Sequence, residues 1–439
     1  MRKTARRRAA AVLSALALGL AASLTACSPS GDGNTGGGSA DTMRIWWYEP
    51  ADSAQHASWT RSLEQFKKDH PEVTVEFESK SWEQLQKAGQ MVLNSAEAPD
   101  ILEYPKGNAT TGAVAAAGLL TDMSDAAKER GWRDTVAPGV LAVGEYENGI
   151  MGSGGLYGVP TYAEYASVFY NIDMLKAKGF EPPKTVEEWE EQMAAFQADG
   201  VTPLALGGAG YPIVHLIHAL ALSKGSREWI DNFTFLRGDV DFHDEAWTFG
   251  AEKAAEWAEK GYIGSDATGI DAEGAGAAFK AGTSPYFLSG SWWLGDFAKN
   301  ISDFEWTTFP NPGNGYTPGS GGNVWVVPAN SKHKDLAYEF IDLLLSTEAQ
   351  TDLANAGGVA VAADMAKVTD PIGQLANSDM QRLIDEDLLG YNADWPVAGY
   401  YDLWLSQSQS LITGGVTPEQ FLTTLGDFYH AGRAELGRG

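Results

Sequence analysis

The chain has 439 residues, a formal net charge of −27, a single cysteine, and 15 Trp, 16 Tyr and 17 Phe. So acidic a surface repels phosphate backbones and anionic headgroups, which argues against nucleic-acid binding and against electrostatic adsorption to a membrane. One cysteine excludes an intramolecular disulfide, and no cofactor or metal-ligand pattern accompanies it.

At the N-terminus, Arg2, Lys3, Arg6, Arg7 and Arg8 precede an apolar run from Ala9 to Leu20 interrupted by Ser14 and Gly19. That run is short for a membrane span and has the layout of a secretory signal peptide. Leu24-Thr25-Ala26-Cys27 places small residues before the cysteine and resembles the lipobox of bacterial lipoproteins. In that family a peptidase cuts before the cysteine, and the thiol carries a diacylglyceryl group. The resemblance implies a leader over 1–26 and a lipidated Cys27 that anchors a soluble domain without threading it through the bilayer. The alternative is an ordinary signal peptide with an incidental cysteine. Gly- and Ser-rich residues after Cys27 read as a flexible tether, giving a segment over 27–42. Without the five basic leader residues, 26 basic residues face 58 acidic ones, a charge of −32. No other segment approaches 18 uninterrupted apolar residues, so no transmembrane helix is expected.

The folded part opens at Met43–Tyr48, a buried strand ending at Glu49-Pro50. Trp59, Leu63 and Phe66 recur at helical spacing, and His70-Pro71 stops that helix. Val73, Val75 and Phe77 alternate with polar residues as a half-buried strand. Ser81-x-x-Gln84 is a capping box before a helix carrying Leu85, Ala88 and Val92. Pro99–Tyr104 is the next strand, and an Ala-rich helix runs to Gly118. This βαβα rhythm predicts an α/β lobe with parallel strands. Further on, Val168–Tyr170 is a short strand and Thr185-x-x-Glu188 caps a helix lined by Val186, Trp189, Met193 and Phe196. Tyr211–Leu222 and Glu245–Lys260 are helices, Asn323–Pro328 holds a strand, and Leu336, Phe340 and Leu343 mark another helix. Thr417-x-x-Gln420 starts the last helix, with Phe421, Leu425 and Phe428 expected inside. Helix content is higher after residue 165, consistent with two lobes of unequal character.

Enzyme signatures are sparse. The chain has no G-x-S-x-G elbow, no Walker A loop and no G-x-G-x-x-G after a strand. His215 and His218 lie three apart on a helix without a third ligand, and read as a packed pair. Carboxylates at strand ends carry more interest, because open α/β sheets present ligands there. Glu49, Glu103 and Glu164 occupy such places, each beside a tyrosine: Tyr48, Tyr104 and Tyr165. A sugar ring packs its C–H face on an aromatic ring and donates its hydroxyls to carboxylates, a charge-assisted hydrogen bond.

The stretch "YGVPTYAEYASVFYNIDMLKAKGFEPPKTVEEWEEQ", Tyr157 to Gln192, resembles the signature of extracellular solute-binding proteins of sugar ABC transporters, the maltose-binding-protein-like family 1. The matching features are Tyr157 and Pro160, Tyr170-Asn171, Gly179, and Pro183-Lys184-Thr185. "APDILEY", "AGLLTDMSD", "TFPNPG" and "GGNVWVVPANSKHKDLAYEFIDLLLSTEAQ" follow the family order. "AFKAGTSPYFLSGSWWLGDF" does so too, with Pro285-Tyr286 where Ala-Met is usual. The resemblance covers essentially the whole chain after the tether. It implies a two-lobed periplasmic-binding-protein-like α/β fold of type II, with three crossover segments and a ligand cleft between the lobes. With crossovers near 163, 317 and 357, the first lobe is 43–163 plus 318–357 and the second 164–317 plus 358–439. Hinge closure around a ligand is the motion such folds use.

Carried over residue by residue, the resemblance implies ligand contacts at Trp47, Glu49, Glu103, Tyr104 and Asn108. Glu164, at the first crossover, stands where maltose-binding protein also has a sugar-contacting Glu six residues before Tyr-Asn. Tyr211, Trp292 or Trp293, Gly321, Gly322 and Asn323 follow, then Trp395 with Tyr391 and Tyr400 as alternates. The implied activity is capture of a carbohydrate, an oligosaccharide given the aromatic supply, by a monomer that delivers it to an ABC permease without catalysis, metal or cofactor. Two alternatives stay open: a lipid-anchored glycoside hydrolase using two strand-end carboxylates, and the same fold with a polyamine, peptide or metal-chelate cargo. On the first reading, Glu164→Ala and Trp292→Ala weaken sugar binding and leave the melting temperature of the empty protein nearly unchanged.

Overall fold

The computed structural model describes residues 41–309, 313, 315–393 and 396–438. The leader, Cys27 and most of the expected tether lie outside these residues, as does Trp395. The first strand runs Asp41–Trp47, so the last two positions assigned to the tether are already in a sheet.

Met43, Ile45 and Trp47 alternate along this strand and are all fully buried, the period that a pleated strand imposes on one face. The helix Ala54–Asp69 covers it. Its N-cap Ser53 accepts from the backbone N–H of His56, and Trp59, Leu63 and Phe66 form its inner stripe. Val73–Ser79 then pairs parallel with the first strand along its whole length, and Ile101–Tyr104 pairs parallel on the other side. Trp82–Leu93 crosses between them, started by the Ser81–Gln84 capping box. Two later segments complete this sheet in antiparallel sense: Val324–Val326 beside Ile101–Tyr104, and Val159–Pro160 beside Val324–Val326.

The second sheet is built on Ala163–Asn171, nine residues buried on both faces, as expected of a strand covered on each side. Tyr286–Gly290 and Trp306–Phe309 flank it in antiparallel sense, and Leu204–Ala205 adds to Tyr286–Gly290 in parallel. Around this sheet pack the helices Val186–Gln197, Tyr211–Leu222, Glu245–Glu259, Tyr400–Ile412 and Pro418–Glu435. Trp189, Trp247, Trp257 and Trp404 fill the space among them, each less than 2% exposed. No described helix is long and apolar enough to cross a membrane.

The two lobes are joined where three stretches run side by side. The chain leaves the first sheet at Pro160 and enters the second at Ala163; Gly319–Gly321 pairs antiparallel with Ala163–Tyr165 on the way back to Val324. A third pass brings Val359 against Ala163, whose N–H donates to the Val359 carbonyl at 2.9 Å. This crossing places Glu164 at the junction between the sheets.

In the last helix, Phe421, Leu422, Leu425 and Tyr429 are buried, but Phe428 is 37% exposed, contrary to expectation. At 100° per residue it falls on the edge of the stripe those four define.

Candidate functional site

Between the lobes lies a cleft of about 800 Å³. The first lobe contributes Tyr48, Glu49, Trp82, Gln86, Lys87, Tyr162 and Asn323, and the second Tyr211, His215, Asp271, Glu273, Trp292, Asn392, Tyr401 and Asp402. A smaller pocket of about 280 Å³ adjoins it, sharing Gln86, Lys87, Tyr401 and Asp402.

The floor is ionic. Lys106 follows the Ile101–Tyr104 strand, and its side chain is fully buried. Its ammonium donates to Glu164 Oε1 at 2.5 Å and also to the Gly321 carbonyl. Asn392 Nδ2 donates to the same Glu164 oxygen at 3.2 Å. Glu164 is therefore held by groups from two distant parts of the chain, at the point where the strands cross.

Beside it sits a carboxyl pair. Tyr162 Oη donates to Glu49 Oε1 at 3.2 Å and lies 3.5 Å from Glu103 Oε1. The same hydroxyl accepts from the backbone N–H and the amide of Asn323, at 3.2 and 3.3 Å. The Tyr48 N–H donates to Glu103 Oε2 at 3.2 Å. Burial, reinforced by the Glu164 charge, pushes the Glu49 carboxyl up to about 7. Burial first and the neighbouring Glu49 second push Glu103 well above the usual carboxylate range. Burial likewise holds Tyr48 and Tyr162 as neutral phenols.

The second lobe supplies an aromatic wall. Trp292 Nε1 donates to Tyr211 Oη at 3.0 Å, with ring centroids 5.7 Å apart. His215 packs on both rings, 5.3 Å from Tyr211 and 6.0 Å from Trp292. Burial, helped by the Lys106 charge, lowers its imidazole to about 3, so it is neutral at physiological pH. The Trp292 indole is seated against Gly290, where an added Cβ would come within 2.1 Å of the ring. Asp271 caps the helix Ala272–Lys280 by accepting from the Gly274 N–H, which fixes its carboxylate at the cleft edge. Trp82 of the first lobe meets Tyr401 of the second edge-on at 5.5 Å.

Of the positions expected from the sequence, Glu49, Glu164, Tyr211, Trp292 and Asn323 come together in this cleft. The others are placed elsewhere. Trp47 is fully buried, its ring 3.8 Å from Phe77 and its Nε1 donating to His56 Nδ1 at 3.1 Å. Tyr104 is 2% exposed and packs where a side chain on Gly89 would stand. Glu103 is fully buried behind Glu49. Asn108 is a brace: its amide donates to the Pro396 carbonyl at 3.0 Å and its Oδ1 accepts from the Met151 N–H at 2.7 Å. Trp293 turns away from the cleft onto Phe287 and Phe297. Gly321 and Gly322 serve as backbone, through the Gly321 carbonyl to Lys106 and the Gly322 N–H to the Tyr162 carbonyl at 2.7 Å. The alternates Tyr391 and Tyr400 are buried.

Residues absent from the expected contacts include Trp82, Lys106, Tyr162, Asn392 and Tyr401, together with Tyr48, noted only as the neighbour of Glu49, and His215, read only as half of a packed pair. For His215 a signal existed: it stands one turn from Tyr211 and so shares its helix face.

Gly322 carries a stability prediction. A Cβ there would fall 2.4 Å from the Tyr162 ring, and that ring is pinned through its hydroxyl to Glu49 and Asn323. Gly322→Ala is expected to cost about 1–3 kcal/mol by overpacking, read as a lower denaturation midpoint. An unchanged midpoint would mean that Tyr162 can step aside.

The family described as bacterial extracellular solute-binding protein matches residues 50–351. A maltooligosaccharide ABC transporter solute-binding lipoprotein of Streptococcus pneumoniae is 27% identical over 269 residues, 58% of either chain. The diacetylchitobiose binding protein DasA of Streptomyces coelicolor is 25% identical over 357 residues, 78% of this chain and 79% of its own. The alignment thus spans little more than half the length of the pneumococcal relative. Among solved structures, a chitin oligosaccharide binding protein superposes with a TM-score of 0.75 at 21% identity, covering 90% of this chain and all of the other. A raffinose complex of a binding protein gives 0.68 at 18% identity, covering 88% and 98%. These neighbours share the two-lobed fold.

Proposed function

Because the chain belongs to the bacterial extracellular solute-binding proteins, we propose that it captures an oligosaccharide in the cleft and presents it to an ABC importer. We further infer that a lipid on Cys27 holds it, as a monomer, at the outer face of the cell membrane. The observation that carries the cargo assignment is the opposition of the Trp292–Tyr211 wall to the Glu49 and Glu164 carboxyl groups across one cavity. An aromatic face takes the C–H side of a pyranose, and the acceptors take its hydroxyls. A volume of about 800 Å³ lies in the upper part of the usual small-molecule range, and the adjoining pocket extends the groove past Gln86 and Tyr401. Both features suit more than one sugar unit. The relatives named for maltooligosaccharide and diacetylchitobiose binding support the same class.

The hydrolase alternative needs two carboxyl groups flanking the scissile bond. Glu103 is sealed behind Glu49, and Glu164 is committed to Lys106 and Asn392. We therefore read the cleft as a site of binding without turnover.

The test is a thermal-shift screen of the chain from Ala40 onward. Its panel holds maltooligosaccharides, diacetylchitobiose and raffinose beside a polyamine and a peptide. A ligand that binds only the folded state adds RT ln(1 + [L]/Kd), about 2.7 kcal/mol at a hundredfold excess over Kd. A shift with one saccharide, recovered intact, is the expected result. A cleaved saccharide would replace binding by hydrolysis, and a shift confined to the polyamine or peptide would overturn the cargo.

A further inference from the structure

His56 stands where the cleft meets the core of the first lobe. It is the third residue of the helix Ala54–Asp69, and its backbone N–H donates to Ser53 Oγ at 3.0 Å. Its half-buried ring lies edge-on to Trp47 at 5.6 Å and to Phe77 at 6.4 Å, and it forms part of the cleft lining. Nδ1 sits between two groups: Trp47 Nε1 at 3.1 Å and the Glu49 carbonyl, also at 3.1 Å. One nitrogen cannot serve both. A bare Nδ1 accepts the indole proton; a protonated Nδ1 donates to the carbonyl and leaves the indole N–H unmade.

Burial decides between them. Trp47 is fully buried, and among the described residues His56 is the acceptor for its N–H. A donor sealed from water carries the whole desolvation penalty when its bond is unmade, whereas a carbonyl, with two lone pairs, is more often left under-satisfied. Nδ1 is therefore bare, and in a neutral imidazole the proton then sits on Nε2. Nε2 lies across Cε1 from the Trp47 contact and takes no protein partner among the described residues.

We propose that Trp47, itself outside the cleft, is the positioning residue that fixes His56 as an Nε2–H donor, and that this N–H bonds an oxygen of the cargo. This rests on the reading of the cleft as a sugar site. Carboxyl groups line that cleft at Glu49, Glu164, Asp271 and Asp402, and each takes hydroxyl protons from a sugar. A hydroxyl whose proton is committed to a carboxyl can only accept from its second partner, as can a ring, glycosidic or acetamido oxygen. Such an oxygen needs a donor. The other tautomer would set the Nε2 lone pair against the lone pair of that oxygen, so the proton position on His56 decides whether the bond forms.

The test uses wild type, His56→Ala, His56→Gln and Trp47→Phe, each first checked for cooperative unfolding. The first readout is long-range proton–nitrogen NMR of the empty protein in mildly alkaline buffer. The His56 signals, among those of seven histidines, are identified by their loss in His56→Ala. Wild type should carry the proton on Nε2, and Trp47→Phe should move it to Nδ1, where the Glu49 carbonyl takes it. The second readout is calorimetric titration with diacetylchitobiose and with a maltooligosaccharide. His56→Ala should bind about tenfold more weakly. His56→Gln, whose amide N–H stands in for Nε2–H and cannot tautomerise, should stay within about threefold of wild type. Trp47→Phe should lose about tenfold, and should lose nothing further when combined with His56→Gln. If Trp47→Phe does not fold, the wild-type spectrum and the two His56 variants decide. A proton on Nδ1 in wild type, or wild-type affinity in His56→Ala, would overturn the proposal. If Nε2 carries the proton but neither sugar titrates into wild type, the fixed donor stands, and its use on a sugar falls with the sugar reading.

Discussion

Glu164→Ala is expected to destabilise the empty protein by about 3 kcal/mol, besides abolishing tight binding. The cause is Lys106, whose fully buried side chain is 2.5 Å from Glu164. Removing one partner of a buried ion pair typically costs about 3–5 kcal/mol, because the other charge stays desolvated. Glu164 borders the cleft, so water can move toward the ammonium and the loss should fall at the low end of that range. This replaces the expectation, drawn from the sequence, that the melting temperature would barely change: there Glu164 was a ligand contact, and here it is also a structural counter-charge. Chemical denaturation of the empty protein decides between them. The double variant Lys106→Met with Glu164→Leu should regain much of the stability, since an apolar pair of similar size often matches a buried ion pair, while sugar affinity stays lost. An unaltered denaturation midpoint in Glu164→Ala would mean that Lys106 finds solvent without its carboxylate.

Trp292→Ala should cost the most affinity for the least stability. Its ring is half-buried, seated on Gly290, and bonded to Tyr211 at one edge. A central aromatic anchor in a binding site is commonly worth about 2–4 kcal/mol on truncation, so affinity for the saccharide found in the screen should fall at least about thirtyfold. Trp292→Phe keeps a ring and gives up the bond to Tyr211, for a loss nearer about 1 kcal/mol. Trp293→Ala should do the opposite. That ring is half-buried and packs on Phe287 and Phe297, so its truncation should cost stability, somewhat less than the loss of about 3–5 kcal/mol for a fully buried tryptophan, while affinity per folded molecule is kept. Calorimetry and denaturation on the three variants separate the roles. Equal affinity losses at 292 and 293 would remove Trp292 from the site.

What was legible in the sequence was local. The Ser81–Gln84 capping box, the helix start at Thr417 and the Val73–Phe77 alternation all form as read, because each depends on neighbours within one turn or one pleat. Positions next to an aromatic doublet were harder to read. Trp47 and Tyr48 stand side by side, as do Trp292 and Trp293; a step of one residue sends one ring to the core and the other to the cleft. Lys106 was beyond reach for a different reason. In "YPKGN" it looks like a solvated loop lysine, and only the crossing of Ala163–Tyr165 with Gly319–Gly321 brings Glu164 and the Gly321 carbonyl to it. Asn392 and Tyr401 join the site through the same long-range geometry, which no window of sequence contains.

The distribution of tryptophan has a practical consequence for optical work. Trp47, Trp59, Trp132, Trp189, Trp247, Trp257, Trp325 and Trp404 are each less than 2% exposed, whereas Trp82 and Trp292 border the cleft. Intrinsic emission from this protein will therefore be dominated by shielded, blue-shifted indoles that do not sense the cargo. A ligand quenching Trp292 alone would register as a small change on a large constant background, with a shift only at the red edge of the band. A flat emission titration would accordingly say little about occupancy.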